Sequence, residues 1–541
     1  MDKRFNEARR AAAAALAGLL AVAGALPAAA QTEVPTLVVE VPDEPELVIE
    51  DGSIQLLLED AIVLALRRNL NLSVERYAHQ QSLTNIVGSR GLYDLRLQGS
   101  ATIDDGESPT LSELVGVPVE ESNLRNYSLS LAQLTPWGGE ATLGLDANRQ
   151  ATNDITQRFN PSYRGAGDFS FVQPLLRDFG RLPTERPIIQ ARLAAGQSRQ
   201  LFEQQVTNLL VDVENAYWDL VEAREQLNVA EQSLELAREL HERSRIQVEV
   251  GTLAPIELVQ SEATIATREE GIITAEAQLG DAADRLLQLL NLPRAMAEGL
   301  EVDPLTDPET TPIAIDLQQA ISTALAERPE VHQQQLAVER LEVDSQFFRN
   351  QKLPTADVSV GYDSSALASP ASDTDLFDAF GDVLGREFTG WNVGLFVGVP
   401  LQNRGARAQS AIADLDLERG RTQLDQLELD VTTDVRAAAR QVRTAEEQIA
   451  SAEASVRLQE RNLEAEQRRY ENGMSTSFRI TEIQEDLTAA RSRLVSAITS
   501  YRRALTAYHR ATGRLLEESG VELAGPVDVE LPPRTLGNLF Q

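Results

Sequence analysis

Hydrophobic residues recur along this chain with two periods, and the change from one to the other divides it into segments. Over residues 206–247 a large aliphatic side chain recurs every seventh position, at Val206, Val213, Leu220, Leu227 and Leu234. Three residues after each come Leu209, Ala216, Ala223, Ala230 and Ala237. A 3-4 spacing sustained over five heptads predicts helices packed along a coiled-coil seam. Alanine at half of the seam lets helix axes approach closely, which predicts helices lying side by side in an extended wall. Residues 428–469 repeat the pattern at an offset of 222, with Glu428, Val435, Val442, Ile449 and Val456 alternating with Val431, Ala438, Ala445, Ala452 and Gln459. Beyond Gly251 and Gly473 the heptads resume. Leu258, Ile265, Ile272, Leu279 and Leu286 match Ile480, Leu487, Leu494, Tyr501 and Tyr508. About 85 ungapped positions in phase establish an internal repeat.

A shorter helical pattern opens each copy. Leu58, Ala61, Ile62, Ala65 and Leu66 correspond to Leu317, Ala320, Ile321, Ala324 and Leu325. Helices are expected over about 54–92 and 315–351, interrupted at Asn69-Leu70 and at Arg328-Pro329, where proline demands a kink or a break. The period then falls to two. Val358, Val360 and Tyr362 alternate with polar or small residues, as do Trp391, Val393, Leu395, Val397 and Val399, with a Ser-, Asp- and Gly-rich loop between them. The later strand is about nine residues, near the length of a tilted membrane strand. In the first copy Leu95, Leu97, Gly99, Ala101 and Ile103 alternate, and Phe169 and Phe171 follow much later. Between them Tyr127, Leu129, Leu131 and Leu143, Leu145, Ala147 flank the turn residues 135–139, an additional hairpin. A soluble β-subdomain would show the same alternation.

Both strand regions end alike, in Val172-Gln173-Pro174-Leu175 before Gly180 and in Gly398-Val399-Pro400-Leu401 before Gly405. Proline halts a strand and glycine lets the chain reorient, so Pro174, Gly180, Pro400 and Gly405 mark strand-to-helix transitions. The helices they launch, over about 181–250 and 404–472, would each be about 105 Å long, and the returning helices, over 253–291 and 475–513, about 55 Å. A soluble domain of this size does not extend so far in one direction.

The chain carries a formal charge of −34, which argues against a nucleic-acid partner. Residues 1–30 read as a signal peptide, with Lys3, Arg4, Arg9 and Arg10 before an alanine- and leucine-rich run and Ala28-Ala29-Ala30 as the cleavage site. No other apolar run is long enough for a spanning helix. There is no cysteine, which excludes disulfides and thiolate catalysis. The histidines, His79, His241, His332 and His509, stand outside any metal-ligand spacing, and no phosphate loop or nucleophile elbow is present, so neither enzyme activity nor a metal or cofactor is expected. The acidity either lines a cation-favouring lumen or keeps the exterior soluble. The organisation is then a signal peptide at 1–30, an extended acidic leader at 31–53, a first repeat at 54–292, an inter-repeat belt at 293–314, a second repeat at 315–513 and a C-terminal belt at 514–541.

The order helix, strands, strand ending in Gln-Pro-Leu or Val-Pro-Leu, long helix, glycine tip, returning helix, twice over, resembles the TolC-type outer membrane efflux protein family. The paired Leu-x-x-Ala-Ile-x-x-Ala-Leu motifs and Val250-Gly251-Thr252 carry the same resemblance, which spans nearly the whole mature chain. It implies a mainly α fold with a membrane β-barrel part, in which a duplicated helix-strand-strand-helix unit forms a trimeric α-barrel continuous with a shared antiparallel β-barrel. It also implies an outer-membrane location and a passive exit duct for small-molecule efflux or protein export. An inner-membrane transporter would drive export through a periplasmic adaptor. Four strands cannot close a barrel alone and open edges are not tolerated in lipid, whereas three copies give twelve strands, which can close. The additional hairpin either enlarges that barrel or lies outside it. A soluble periplasmic coiled-coil scaffold or adaptor is the alternative; it accounts for the long helices but not for the period-two segments.

The resemblance implies that adaptor hairpins dock at the tips, Val250, Gly251, Thr252 and Leu253 in one copy and Asn472, Gly473 and Met474 in the other. Asn472 and Met474 depart from the family's Val-Gly-Thr. It further implies that acidic residues six and nine positions after the second tip glycine constrict the lumen. The ninth is Glu482; the sixth is Arg479, where the family often has aspartate. Arg479, Glu482 and Glu485 are spaced three apart and share roughly one helix face. An i,i+3 contact or a neighbouring protomer would let Arg479 compensate a ring of Glu482 carboxylates, with Glu485 and Glu257 as further gate candidates.

Overall fold

The computed structural model describes residues 38–40, 45, 48–50, 53–110, 116–251, 253–292, 301–368, 388–472 and 474–524. The expected signal peptide, most of the leader, the start of the inter-repeat belt, the end of the C-terminal belt, Thr252 and Gly473 lie outside the described residues.

The described residues open with three short strands, β1 (Val38–Glu40), β2 (Val48–Glu50) and β3 (Ser53–Leu56), followed by α1 (Leu58–Arg68) and α2 (Leu70–Arg90). Asn69 separates the two helices. Its backbone is extended, and its side-chain oxygen accepts from Leu72 N at 3.1 Å, capping α2. Four strands follow, β4 (Arg96–Pro109), β5 (Val119–Leu134), β6 (Glu140–Thr152) and β7 (Ser162–Pro174). Next come the long α3 (Arg181–Glu249), the returning α4 (Ile256–Leu290) and β8 (Glu301–Pro304). The second copy consists of α5 (Leu317–Glu327), α6 (Pro329–Asn350), β9 (Thr355–Ala368), β10 (Phe388–Gly398), α7 (Arg404–Glu471) and α8 (Ser477–Thr512). Pro329 is the first residue of α6, where its missing N–H leaves no bond unmade. The described chain ends with α9 (Leu515–Glu518) and β11 (Glu522–Ala524).

α3 and α7 are 69 and 68 residues long, so each spans about 100 Å. Many of the heptad positions are buried, while Ala223, Leu227 and Ala230 are half-buried. Val206, Val213 and Leu220 are inaccessible, as is Val435, and Ala216 and Ala445 are only 3% exposed. The small seam residues produce a wall one helix thick. In the half nearer the strands the helices neighbour one another in the order α2, α3, α6, α7; in the far half the order is α4, α3, α8, α7. Midway along, α1, α3, α4 and α9 bury the largest cluster around Phe202, Leu210, Tyr217, Trp218 and Leu286. Trp218 packs edge-on against Tyr217, and the Arg502 guanidinium lies over the Trp218 ring at 4.7 Å from its centroid.

The segments expected to be extended or irregular around the wall instead contribute short strands. β3 pairs antiparallel with β2 and parallel with β8, and β1 pairs with β11. Long-range partners that a sequence pattern does not reveal decide this. Tyr217 Oη donates to Leu56 O at 3.0 Å and accepts from Thr306 N at 2.9 Å, and Tyr501 Oη donates to Thr311 O at 2.7 Å, tying the belt to α3 and α8.

The remaining strands form one six-stranded antiparallel sheet in the order β10-β9-β7-β6-β5-β4. The additional hairpin is therefore β5 and β6, inside the sheet, and each chain supplies six strands where the simpler count was four. β4 to β7 are 13 to 16 residues long, more than a bilayer requires, and β10 is 11 where nine were expected. Leu97, Leu131, Leu143, Phe169, Tyr362 and Trp391 are paired in register across all six strands, an unbroken apolar row on one face. The opposite face carries Ser100, Ser128, Asp146, Asp168, Asp363 and Asn392.

Candidate functional site

Three places along the molecule hold the residues singled out by sequence. The first is the pair of strand-to-helix transitions. β7 ends at Pro174, and the chain crosses to α3 through Gly180, whose φ of +103° suits glycine. Gly180 N donates to Trp137 O at 3.2 Å and Gln173 Nε2 donates to the same oxygen at 3.0 Å, so the β5–β6 turn is fastened to this transition. In the second copy Pro400 follows β10, but Gly405 does not make the turn. It lies in the first turn of α7, and Asn403, at φ +46°, reverses the chain while its side-chain Nδ2 donates to Lys352 O at 2.9 Å. Asparagine tolerates the left-handed conformation and anchors it with its amide, which leaves glycine unnecessary there.

The second place is the far end of the wall. α3 is capped by Val250, Gly251 turns the chain at φ +81°, and Pro255 leads into α4. α7 is capped by Asn472, whose Nδ2 donates to Arg468 O at 2.6 Å; Met474 N donates to Arg469 O at 2.8 Å, and Thr476 caps α8. The tips expose apolar side chains. Val250 is 73% and Met474 63% exposed, and Ile256, Val259 and Phe478 are similarly open, while Leu253 is half-buried. Ile256, Val259 and Phe478 escaped the sequence reading, although their positions off the heptad seam could have marked them. The two tips are joined: Ser477 Oγ donates to Glu257, and Tyr470 Oη meets Ser244 Oγ at 3.4 Å. Ser475 Oγ donates to Glu466 at 2.5 Å; this bond, with Arg469 and Arg479 nearby, holds the Glu466 carboxyl below its ordinary range.

The third place is the start of α8. Arg479 Nη1 donates to Glu482 Oε2 at 2.5 Å, so the i,i+3 contact forms. Hydrogen bonding to Glu482 and that carboxylate's charge raise the Arg479 pKa further. The side chains are 52% and 48% exposed, the exposure of an ordinary surface ion pair, whose contribution solvent screening keeps small. Glu485 pairs with Arg268 of α4 at 3.1 Å. The four residues are thus not one cluster. Arg479 and Glu482 pair with each other, whereas Glu257 and Glu485 link α4 to α8.

Sequence periodicity also missed a polar seam between α3 and α8. Glu222 accepts from Ser496 Oγ at 2.6 Å, from Thr499 Oγ1 at 3.1 Å and from Arg503. Glu214 accepts from Thr506, and Gln484 Nε2 donates to Leu236 O at 3.2 Å. Burial pushes the Glu222 carboxyl up, but the hydroxyl and guanidinium bonds outweigh it and leave the pKa below its ordinary 4.5. A depressed folded-state pKa contributes stability above about 4.5 that is lost as pH falls through the folded value. The melting-temperature gap between wild type and Glu222→Gln is accordingly expected to narrow as the pH drops below about 4.5. A gap that stays constant from neutral to acid pH would show that the carboxylate is not what the seam uses.

The comparisons with known proteins agree with this geometry. The sequence profile of the outer membrane efflux protein family matches residues 132–292 and 320–514. No curated protein matches the chain. Among solved structures the fold is similar to the outer-membrane channel OprN, at a TM-score of 0.63 and 16% identity over 84% of this chain and 89% of that one. It is similar to the Campylobacter jejuni CmeC outer membrane channel at 0.62 and 16%, over 85% and 86%. It is similar to CusC at 0.62 and 15%, over 88% and 99%. A profile match over both repeats, on a chain whose strands form one sheet and whose helices form one long wall, shows that the chain belongs to the outer membrane efflux protein family.

Proposed function

We propose that three copies of this outer-membrane channel protein assemble into a passive exit duct. An inner-membrane transporter drives export, and a periplasmic adaptor docks on the helical tips. The observation that carries this reading is the polarity of the molecule along its length. A sheet with one apolar face stands at one end, and exposed Val250, Ile256, Val259, Met474 and Phe478 stand at the other, about 100 Å of helix away. Two free flanks support self-assembly. α7 exposes Leu415 and Leu429, α2 exposes Val74 and Tyr77, and each of these helices ends the side-by-side order. Neighbouring copies in a ring cover both flanks, since one copy's α7 can lie against the next copy's α2.

Within that duct the start of α8 is the gate. Three Glu482 carboxylates near one axis repel, and Arg479 on the same face offsets that repulsion in the closed state. Glu257 and Glu485 hold the hairpins together through Ser477 and Arg268. In planar bilayers Arg479→Ala is expected to raise single-channel conductance several-fold, and Glu482→Gln to weaken block by multivalent cations. Unchanged conductance and unchanged block in both variants would move the gate elsewhere. The acidic sheet face and overall charge predict cation preference at low salt, so anion selectivity in the same recordings would contradict an acidic lumen.

A further inference from the structure

The two edges of the six-stranded sheet are β4 and β10. β4 leaves the helical end of the molecule after α2, and β10 returns to it before α7. Set beside each other from neighbouring copies, the two therefore run antiparallel. Both are open: every residue of β4 is exposed, and Trp391, Val393, Leu395 and Val397 of β10 are 57–79% exposed. Unpaired strand edges are not tolerated in the hydrocarbon of a bilayer.

We propose that β10 of each copy pairs with β4 of the next, closing a barrel of about eighteen strands in which the β5–β6 hairpin is a full structural member. This rests on the three-copy assembly proposed above. Two observations favour it over a twelve-stranded barrel with the hairpin set aside. The apolar row from Leu97 to Trp391 runs without a break through Leu131 of β5 and Leu143 of β6, so the hairpin presents the same surface as its neighbours. The β5–β6 turn is fastened by Gly180 N and Gln173 Nε2 to the base of α3, which holds it at the rim of the sheet.

The functional consequence is a wide exit. Barrels of 16–18 strands leave an aqueous channel. On the polar face, Asp168 lies against Gly144, Asp363 against Gly390 and Asn392 against Gly361, so these side chains lie along the wall. The outer-membrane segment then does not sieve small molecules, and selection falls to the far end of the helical wall.

The chain has no cysteine, so introduced pairs report cleanly. In the full-length protein, Asn392→Cys on β10 is combined in turn with Gln98→Cys, Ser100→Cys and Thr102→Cys on β4, all on the polar face. Val74→Cys with Leu429→Cys reports the helical flanks. Oxidised protein is read on non-reducing gels, and electron microscopy of the wild-type channel counts strands per copy around the barrel. Covalent trimers from at least one β4–β10 pair and six strands per copy are expected. Cross-linked helical flanks with no β4–β10 product, together with four barrel strands per copy, overturn the proposal and leave the three-copy duct standing. Failure of both cysteine sets, or a ring of any other copy number, refutes the duct reading itself.

Discussion

Replacing Gly251 with valine is expected to abolish export while the channel still folds, reaches the outer membrane and assembles. Gly251 sits at φ +81°, in the left-handed region, and a Cβ there would meet nothing within 4 Å. The cost to the fold is therefore backbone strain alone, about 1–2 kcal/mol for an ordinary L-residue and more for a β-branched one. That strain falls on a solvent-facing turn at the end of a 69-residue helix and leaves the buried seam untouched. It moves Val250 and Ile256, the exposed apolar groups on either side of the turn, away from where a docking partner needs them. Gly251→Asn separates conformation from composition, because asparagine tolerates the left-handed region and should keep most of the activity. Gly473→Val is expected to reproduce the loss at the second tip. The assay is export by intact cells, with the assembled channel followed on native gels. Full export by both valine variants would remove the tips from the docking role.

Truncating Trp218 to alanine is expected to have the largest effect on stability, about 3–5 kcal/mol. Trp218 and Tyr217 are inaccessible, their rings meet edge-on at 5.5 Å, and Arg502 covers the indole from α8. The one-layer wall has few places where three elements meet, and this cluster is where α1, α9 and the belt gather on α3 and α4. Tyr217→Phe is a milder probe. It keeps the ring but leaves Thr306 N without its acceptor, a loss of about 1–3 kcal/mol, while Leu56 O keeps its bond from Leu305 N. Thermal melting of the full-length protein followed by circular dichroism gives both values. Melting of Trp218→Ala at the wild-type temperature would show that the wall is held by its seams alone.

Much of this was legible without coordinates, because helix seams and strand faces are local properties of a chain. The heptads named Val206, Val213 and Leu220, and Val435 and Val442 in the second copy, as buried positions, whereas Glu428, the partner of Val206, is half-buried; Pro329 and Asn69 marked breaks through their own backbone and side-chain chemistry. The alternation at Val358–Tyr362 and Trp391–Val397 marked strands because period two needs no partner to be visible. Tertiary structure alone decided the rest, and each case turns on a non-local partner. The Glu222 seam lies outside the heptads, since it joins side chains 274 to 281 residues apart through hydroxyls and a guanidinium. Asn403 replaced Gly405 as the reversing residue because its amide found Lys352 O across the transition. Whether residues 119–152 belong to the sheet depended on pairing between β5 and β4 and between β6 and β7. Alternation tells which way a side chain faces; only the hydrogen-bonded neighbour tells which sheet it faces from.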